Sequence, residues 1–464
     1  MKRLLYIALV ALVFTACSDD NSNGPVSSGT TGSTLGKSGA AMHHLIAYKG
    51  SASAMTSAVQ AAGGTVRKNF SALKIAVVEG LSEAQAATLR ANSTIGTVVR
   101  DQYITWVPSY AASRTTPQSG ALIQNLLPNG NPENAFFYNA YQWNLRAIEA
   151  NNAWPTTTGN SEVRVGILDT GISPDHQDLA GKYDLTRSIN LSWSNSADPT
   201  DYQDRHFHGT HVSGTIASNN IGTAGVAPDV TLVGVKVLGD DGSADFEDVI
   251  NAILYAADPN GGDCDIINMS LGGYGPRALI GGELLSLLTE AVNYARSQGT
   301  LVVCSAGNSA MDLDHNGNIV VLPVEAGTSM GVSATGPTQG QNPDGFACYS
   351  NYGRSTIAVA APGGNFDCAT GNAVVQDLVM APFAPYVANQ LGLPNPTTWY
   401  VFAAGTSMAA PHVSGVAALI KSRNPNANAG QMQTKLQNTA DDLGSPGVDP
   451  YYGKGRINAR RAVQ

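Results

Sequence analysis

The chain has 464 residues, 43% of them hydrophobic and 13% charged, with a formal net charge of −9. Such a length and apolar content can bury a large core in more than one domain. The acidic balance argues against a nucleic-acid binder, because the only basic run, Arg456 to Arg461, is short and terminal.

Met1-Lys2-Arg3 and the apolar run 4–16 have the charged and hydrophobic regions of a signal peptide, too short to span a bilayer comfortably. Phe14-Thr15-Ala16-Cys17, followed by Ser18-Asp19-Asp20, resembles a bacterial lipoprotein signal. Residues 1–16 are therefore expected to be removed and Cys17 lipidated, which places the protein at the cell envelope; ordinary secretion is the alternative. Residues 17–41 are rich in Ser, Gly and Thr and form a flexible tether. Past Cys17 four cysteines remain. Cys304 lies in an apolar run and reads as a buried thiol, whereas Cys348 and Cys368 fall in loop-like sequence and make the best pair among several connectivities.

From residue 42 to 107 the pattern is that of a small α+β domain. Strand-like 44–48, helical 52–62, a Gly63-Gly64 break, strand-like 72–78, helical 82–91 and a closing strand over 95–104 describe a β-α-β-β-α-β, ferredoxin-like order. Residues 108–140 begin polar and turn-rich, an exposed stretch open to proteolysis. Beyond 141, apolar runs of strand length (163–168, 231–237, 265–269, 300–304, 355–360) alternate with helical segments (208–217, 246–257, 283–297). Near-continuous apolar strands separated by helices predict an α/β fold, a mostly parallel central sheet flanked by helices in three layers. Active groups collect at the carboxyl ends of such strands.

Several of those ends carry chemistry. Asp169 follows the first run, His208-Gly209-Thr210-His211 opens a helix, Asn308 follows the 300–304 run, and Ser407 in Gly405-Thr406-Ser407-Met408-Ala409-Ala410-Pro411 sits at a helix N-terminus. Pro411 is expected in the first turn, where no N–H is needed. Serine is a poor nucleophile until an imidazole accepts its proton, a carboxylate orients the imidazole, and donors await the oxyanion. Each of these motifs alone has a bland reading: a capping serine, a turn aspartate, a helix-start histidine.

Together, Asp169-Thr170-Gly171, His208 to Val212, Asn268 to Gly273, Ala306-Gly307-Asn308 and Gly405 to His412 resemble the subtilisin-like serine proteases, the peptidase S8 or subtilase family, in the order Asp, His, Ser. The resemblance implies a serine endopeptidase with Asp169 as orienting carboxylate, His208 as general base, Ser407 as nucleophile and Asn308 as oxyanion donor; His211 is structural. Ser270, Leu271, Gly272 and Gly273 would pair with extended substrate, opposite Ala306 and Gly307, with Val321 to Pro323 near the pocket floor. Residues 42–107 then resemble an inhibitor I9-type propeptide, which would cover the cleft of a monomeric, self-processing zymogen until cleavage between Val107 and Phe136. Structural Ca2+ is implied at Asp178 and Asn220. Separately, Asp312, Asp314 and Asn316 copy the oxygen spacing of a calcium loop, although position twelve is Pro323. The longer connection 368–400 either shapes a subsite or, the simpler expectation, runs over the surface. Rival readings are a binding protein on an inactive scaffold and a secreted inhibitor acting through residues 43–105.

Overall fold

The computed structural model describes residues 43–107, 116–119, 127–192 and 196–464. The expected signal segment, Cys17 and the tether lie outside the described residues.

The N-terminal domain has the expected order. Strands His43–Tyr48, Thr65–Phe70, Ile75–Glu79 and Ile95–Arg100 form one antiparallel sheet, with 43–48 and 75–79 central, and helices Ala52–Ala61 and Glu83–Arg90 cross it. Ser82 and Gln85 make a reciprocal capping box that starts the second helix. Strand periodicity sends Ile46, Ala76 and Val78 toward Met55, Val59 and Leu89 of those helices. It sends Leu45, Ile75 and Val77 the other way, into a cluster with Phe246, Val249 and Leu284. The sheet is apolar on both faces because its second face is covered by helices Phe246–Ala257 and Arg277–Ser297 of the larger domain.

The larger domain is built on seven strands, every pair parallel, in the order Ile357–Pro362, Met330–Thr335, Leu301–Ser305, Ile266–Met269, Arg164–Asp169, Thr231–Lys236, Ile189–Asn190. Alternation again divides the side chains. Val165, Ile167, Leu301 and Val303 join the helix Thr406–Arg423 through Val413 and Val416. Leu168, Val302 and Cys304 face the opposite layer with Ile250 and Leu288. The three-layer α/β/α expectation therefore holds.

Cys348 and Cys368 form the expected disulfide, Cα–Cα 6.2 Å. Cys264 and Cys304 are buried thiols, and burial pushes the Cys304 thiol up to about 12. The 368–400 connection departs in part from expectation. Its strand Val379–Pro382 pairs antiparallel with Trp399–Ala403, which Thr116–Ser119 also joins, and Pro385–Gln390 forms a short helix between them. Phe383, Ala384, Val387 and Val401 bury themselves around Phe207, the residue before His208, so the middle of the segment is core while 368–376 and 389–395 run over the surface as expected.

Candidate active site

Asp169 ends its strand fully buried, and His208 starts the helix His208–Ile216. His208 Nδ1–H donates to Asp169 Oδ1 at 2.8 Å, and Thr170 N–H donates to the same oxygen at 2.8 Å. That bond assigns the imidazole tautomer, leaving Nε2 as the basic nitrogen. Phe207, at φ 107°, holds a left-handed conformation that a bulky residue rarely adopts.

Asp204, whose role the sequence did not reveal, fixes this turn. Its buried carboxylate accepts His206 N–H (2.9 Å), Phe207 N–H (3.0 Å) and Thr170 Oγ1–H (2.9 Å) on one oxygen, and Thr210 N–H (2.9 Å) and Oγ1–H (2.5 Å) on the other. Burial alone would raise its pKa. The Thr210 hydroxyl and the Phe207 and His206 amides outweigh burial and hold it below the usual carboxylate range. An acidic side chain four residues ahead of a helix-starting histidine was the signal that could have found it.

Ser407 is the second residue of the helix Thr406–Arg423. Pro411 is the sixth residue of this helix rather than lying in the expected first turn, so it removes the N–H that would have bonded Ser407 O. Ser270 Oγ–H supplies the missing donor at 2.7 Å. Ser407 Oγ–H in turn donates to Ser270 O at 3.0 Å. His208 Nε2 and Asp169 Oδ2 are buried without hydrogen-bond partners among the described residues. Unsatisfied buried polar atoms call for a functional explanation, and here both belong to the set picked out by chemistry. The helix bearing His208 packs directly on that bearing Ser407.

Asn308 Oδ1 accepts Thr406 N–H (2.8 Å) and Thr406 Oγ1–H (2.9 Å), which fixes the carboxamide orientation and keeps Nδ2 for another acceptor. Asn308 and Ser407 line one pocket with Gly272, Gly273, Gly307 and Val321. Asn351, also a lining residue, was not anticipated; its Oδ1 takes Ser309 N–H (3.0 Å) and Met311 N–H (2.9 Å). Leu271 faces the core, and Ala306 is buried, its carbonyl bonded to Asn351 Nδ2 at 2.9 Å. His211 is a buried structural group: Nε2–H donates to Val379 O at 3.1 Å, and burial brings its pKa to about 3.

The chain's own residues 103–107 enter the same cleft. Tyr103–Thr105 pairs antiparallel with Ser243–Asp245. Trp106 N–H and Val107 N–H donate to Gly242 O (2.9 and 3.1 Å), and Gly272 N–H donates to Trp106 O (3.0 Å). The Trp106 indole N–H reaches Ala244 O at 3.1 Å, with its ring 5.2 Å from that of Phe246.

Asp178 and Asn220, where structural Ca2+ is implied, lie beside one another in the fold, and their polar atoms are engaged to different degrees. Asp178 Oδ1 accepts Ile221 N–H (2.7 Å), while Oδ2 accepts Gly222 N–H (3.0 Å), Thr223 N–H (2.9 Å) and Tyr400 Oη–H (2.7 Å). Oδ2 is thus filled by three donors, whereas Oδ1 takes a single one and keeps a lone pair. Asn220 Nδ2–H donates to Asn129 O at 2.9 Å, and its Oδ1 is buried without a hydrogen-bond partner among the described residues. Asp314 instead caps residues 354 and 355, Asp312 binds Asp314 N–H and His315, and Asn316 Nδ2–H donates to Glu325, so the three do not converge on one point. Among the described residues no group of three or more His, Cys, Asp or Glu side chains is disposed to hold a metal ion.

A parallel three-layer sheet with an Asp–His pair and a helix-start serine at its carboxyl edge defines a serine hydrolase of the Asp, His, Ser order. The Subtilase family (Peptidase S8) model matches residues 160–455, and the chain belongs to that family as a subtilisin-like serine endopeptidase. It is 33% identical to thermitase of Thermoactinomyces vulgaris over 331 residues, 71% of this chain and 98% of that one. Subtilisin NAT of Bacillus subtilis subsp. natto is 32% identical over 439 residues, 92% of each chain. Among solved structures, the epidermin leader peptide processing serine protease of Staphylococcus aureus matches with TM-score 0.71 at 22% identity, covering 91% of this chain and 98% of that one.

Proposed function

We propose that this endopeptidase is made as an exported, self-processing zymogen, anchored to the bacterial envelope through lipid on Cys17. Residues 42–107 act as its propeptide, and Asp169, His208, Ser407 and Asn308 carry acyl transfer on protein or peptide substrates. The observation that supports this best is the path of residues 103–107, held by backbone pairing between Gly242 and Gly272 where an extended substrate would lie. Catalysis requires Ser407 Oγ to turn from Ser270 O to His208 Nε2. The imidazole then takes the hydroxyl proton as oxygen attacks the scissile carbonyl, and Asp169 offsets the imidazolium charge. Asn308 Nδ2 and Ser407 N–H stabilise the oxyanion. His208 next protonates the leaving amine, and water releases the acyl group by the reverse sequence. Val321 at the pocket favours apolar side chains on the acyl side.

Intact-mass and N-terminal analysis of wild type beside Ser407→Ala tests the reading. Wild type should start between residues 107 and 136, while Ser407→Ala should keep the domain joined and carry a lipid mass on Cys17. Equal maturation of purified Ser407→Ala would end self-processing, and an unlipidated Cys17 would end the anchor.

A further inference from the structure

The nucleophile helix carries a polar ring on a face that is otherwise apolar. Ser414, seven residues after Ser407 and hence on the same face, donates its Oγ–H to Asn268 Oδ1 at 2.8 Å. Asn268 Nδ2–H donates to Ser270 Oγ at 2.9 Å. Ser270 Oγ–H donates to Ser407 O at 2.7 Å, which returns the path to the helix where it began. Asn268, Ser270 and Ser414 are all 0% exposed. Three buried polar side chains in a core of Val413, Val416 and Ala417 would be costly unless each found its partner, and each does.

The ring answers a defect created by the sequence. Pro411 deprives Ser407 O of its helical donor, so the first turn lacks one of the bonds that would hold it. Ser270 replaces that bond only if its hydroxyl points at Ser407 O. A hydroxyl has one hydrogen; by donating to Ser270 Oγ, Asn268 occupies a lone pair there and steers that hydrogen to Ser407 O. Ser414 fixes the Asn268 carboxamide the right way round for this. Asn268 is itself anchored in the parallel sheet, beside Val303 and Ile167.

We infer that Asn268 and Ser414 are positioning residues for the nucleophile: they orient the Ser270 hydroxyl and so set where the first turn, and with it Ser407 Oγ and N–H, stands relative to the reacting carbonyl. This rests on the acyl-transfer reading of Ser407. The Ser414 end reaches neither substrate pocket nor imidazole, so its loss should spare substrate binding.

The test is a double-mutant cycle on the full-length protein, read on its matured product with a chromogenic peptide and with fluorophosphonate. Ser414→Ala should lower kcat and the labelling rate about 10-fold with KM unchanged, and Ser414→Thr, which keeps the hydroxyl, should recover most of it. Pro411→Ala restores a helical N–H to Ser407 O. In that background Ser414→Ala should cost no more than about 2-fold, a coupling that general destabilisation would not produce. Equal losses with and without Pro411, or an unchanged kcat in Ser414→Ala, would overturn the inference. If Ser414→Ala does not mature, Asn268→Ser in the same cycle decides by the same two readings. If wild type cleaves nothing and takes no label, the acyl-transfer reading fails first, and the inference with it.

Discussion

Ser270 grips Ser407 by both of its oxygens, giving a hydrogen to the main-chain carbonyl at 2.7 Å and taking one from the side-chain hydroxyl at 3.0 Å. The hydroxyl is thus held on Ser270 O and must leave it before the imidazole can take its proton. Ser407→Ala should abolish both hydrolysis and fluorophosphonate labelling. Asn308→Ala should still be labelled, with kcat reduced about 100- to 1,000-fold and KM little changed. Steady-state kinetics on the matured enzyme measure both, and a KM effect alone for Asn308→Ala would contradict an oxyanion role.

Tyr400 is fully buried, and its hydroxyl is one of four donors within 3.0 Å of the Asp178 carboxylate. Tyr400→Phe should destabilise the protein by about 1–3 kcal/mol, because a buried charged acceptor loses a partner. The fall in melting temperature should be the same in calcium and in chelator. Rescue of the variant by calcium would show that the cation competes with the N–H cradle after all.

The Cys348–Cys368 bridge closes a loop with a sequence separation of 20. Chain-entropy arguments put the stabilisation at about 3 kcal/mol. Its neighbours matter too: Tyr349 stacks on Phe366, and Tyr349 Oη lies 2.7 Å from Gly364 O and 3.0 Å from Gly363 O, the carbonyl that also accepts Gly405 N–H (2.9 Å) ahead of Ser407. Replacing both cysteines with serine should lower the free energy of unfolding by that amount and depress kcat as well. Calorimetry with and without reductant checks the first effect, and turnover below the melting range checks the second.

Glu149 accepts Arg460 Nε–H and Asn458 Nδ2–H, tying the C-terminal helix Ala459–Val463 to the start of the larger domain. These bonds, Arg460's foremost, bring its carboxyl from 4.5 to about 2. A carboxylate held low in the folded state contributes stability that is complete above its unfolded value, and that is lost as pH falls from about 4.5 toward 2. The pair is partly exposed, so solvent screening limits the contribution to about 1 kcal/mol. Glu149→Gln should show that deficit at pH 7, and the gap to wild type should narrow steadily below pH 4.5 and be mostly closed by pH 2 in urea titrations.

The parts legible in the sequence were those in which one residue type could serve only one environment. Val163 to Leu168 and Leu301 to Cys304 are too uniformly apolar for a one-sided sheet, and both lie in the parallel core. Met330–Thr335 escaped notice because Gly331, Ser333 and Ala334 dilute its apolar signal; its place is set by tight packing, Gly331 lying against Thr356 O and Val324. Ile189–Asn190 is two residues long, below any periodicity. Around the site, Asp169, His208, Asn308 and Ser407 announced themselves by motif; Asn351 acts through the amides of 309 and 311, which only folding brings near, and Asp204, which belongs to no motif, through amides two to six residues further on. Asp178 is legible only in part: its place as a buried carboxylate follows from the motif, but a carboxylate that suits a cation suits a nest of N–H groups equally well, and sequence alone does not say that residues 221–223 turn their amides toward it.

The two sheets differ in how far along the polypeptide their partners lie. In the N-terminal domain 43–48 is flanked by 75–79 and 95–100, whereas 164–169 waits for 266–269 on one side and 231–236 on the other. Loop-closure entropy makes the first arrangement quick to assemble and the second slow. The N-terminal unit also comes first in the chain, and its face of Leu45, Ile75 and Val77 packs on Phe246, Val249 and Leu284, so refolding of the larger domain should be faster with residues 43–107 present than without them. Larger-domain chains synthesised without it should linger as collapsed, aggregation-prone intermediates even though every catalytic side chain is present.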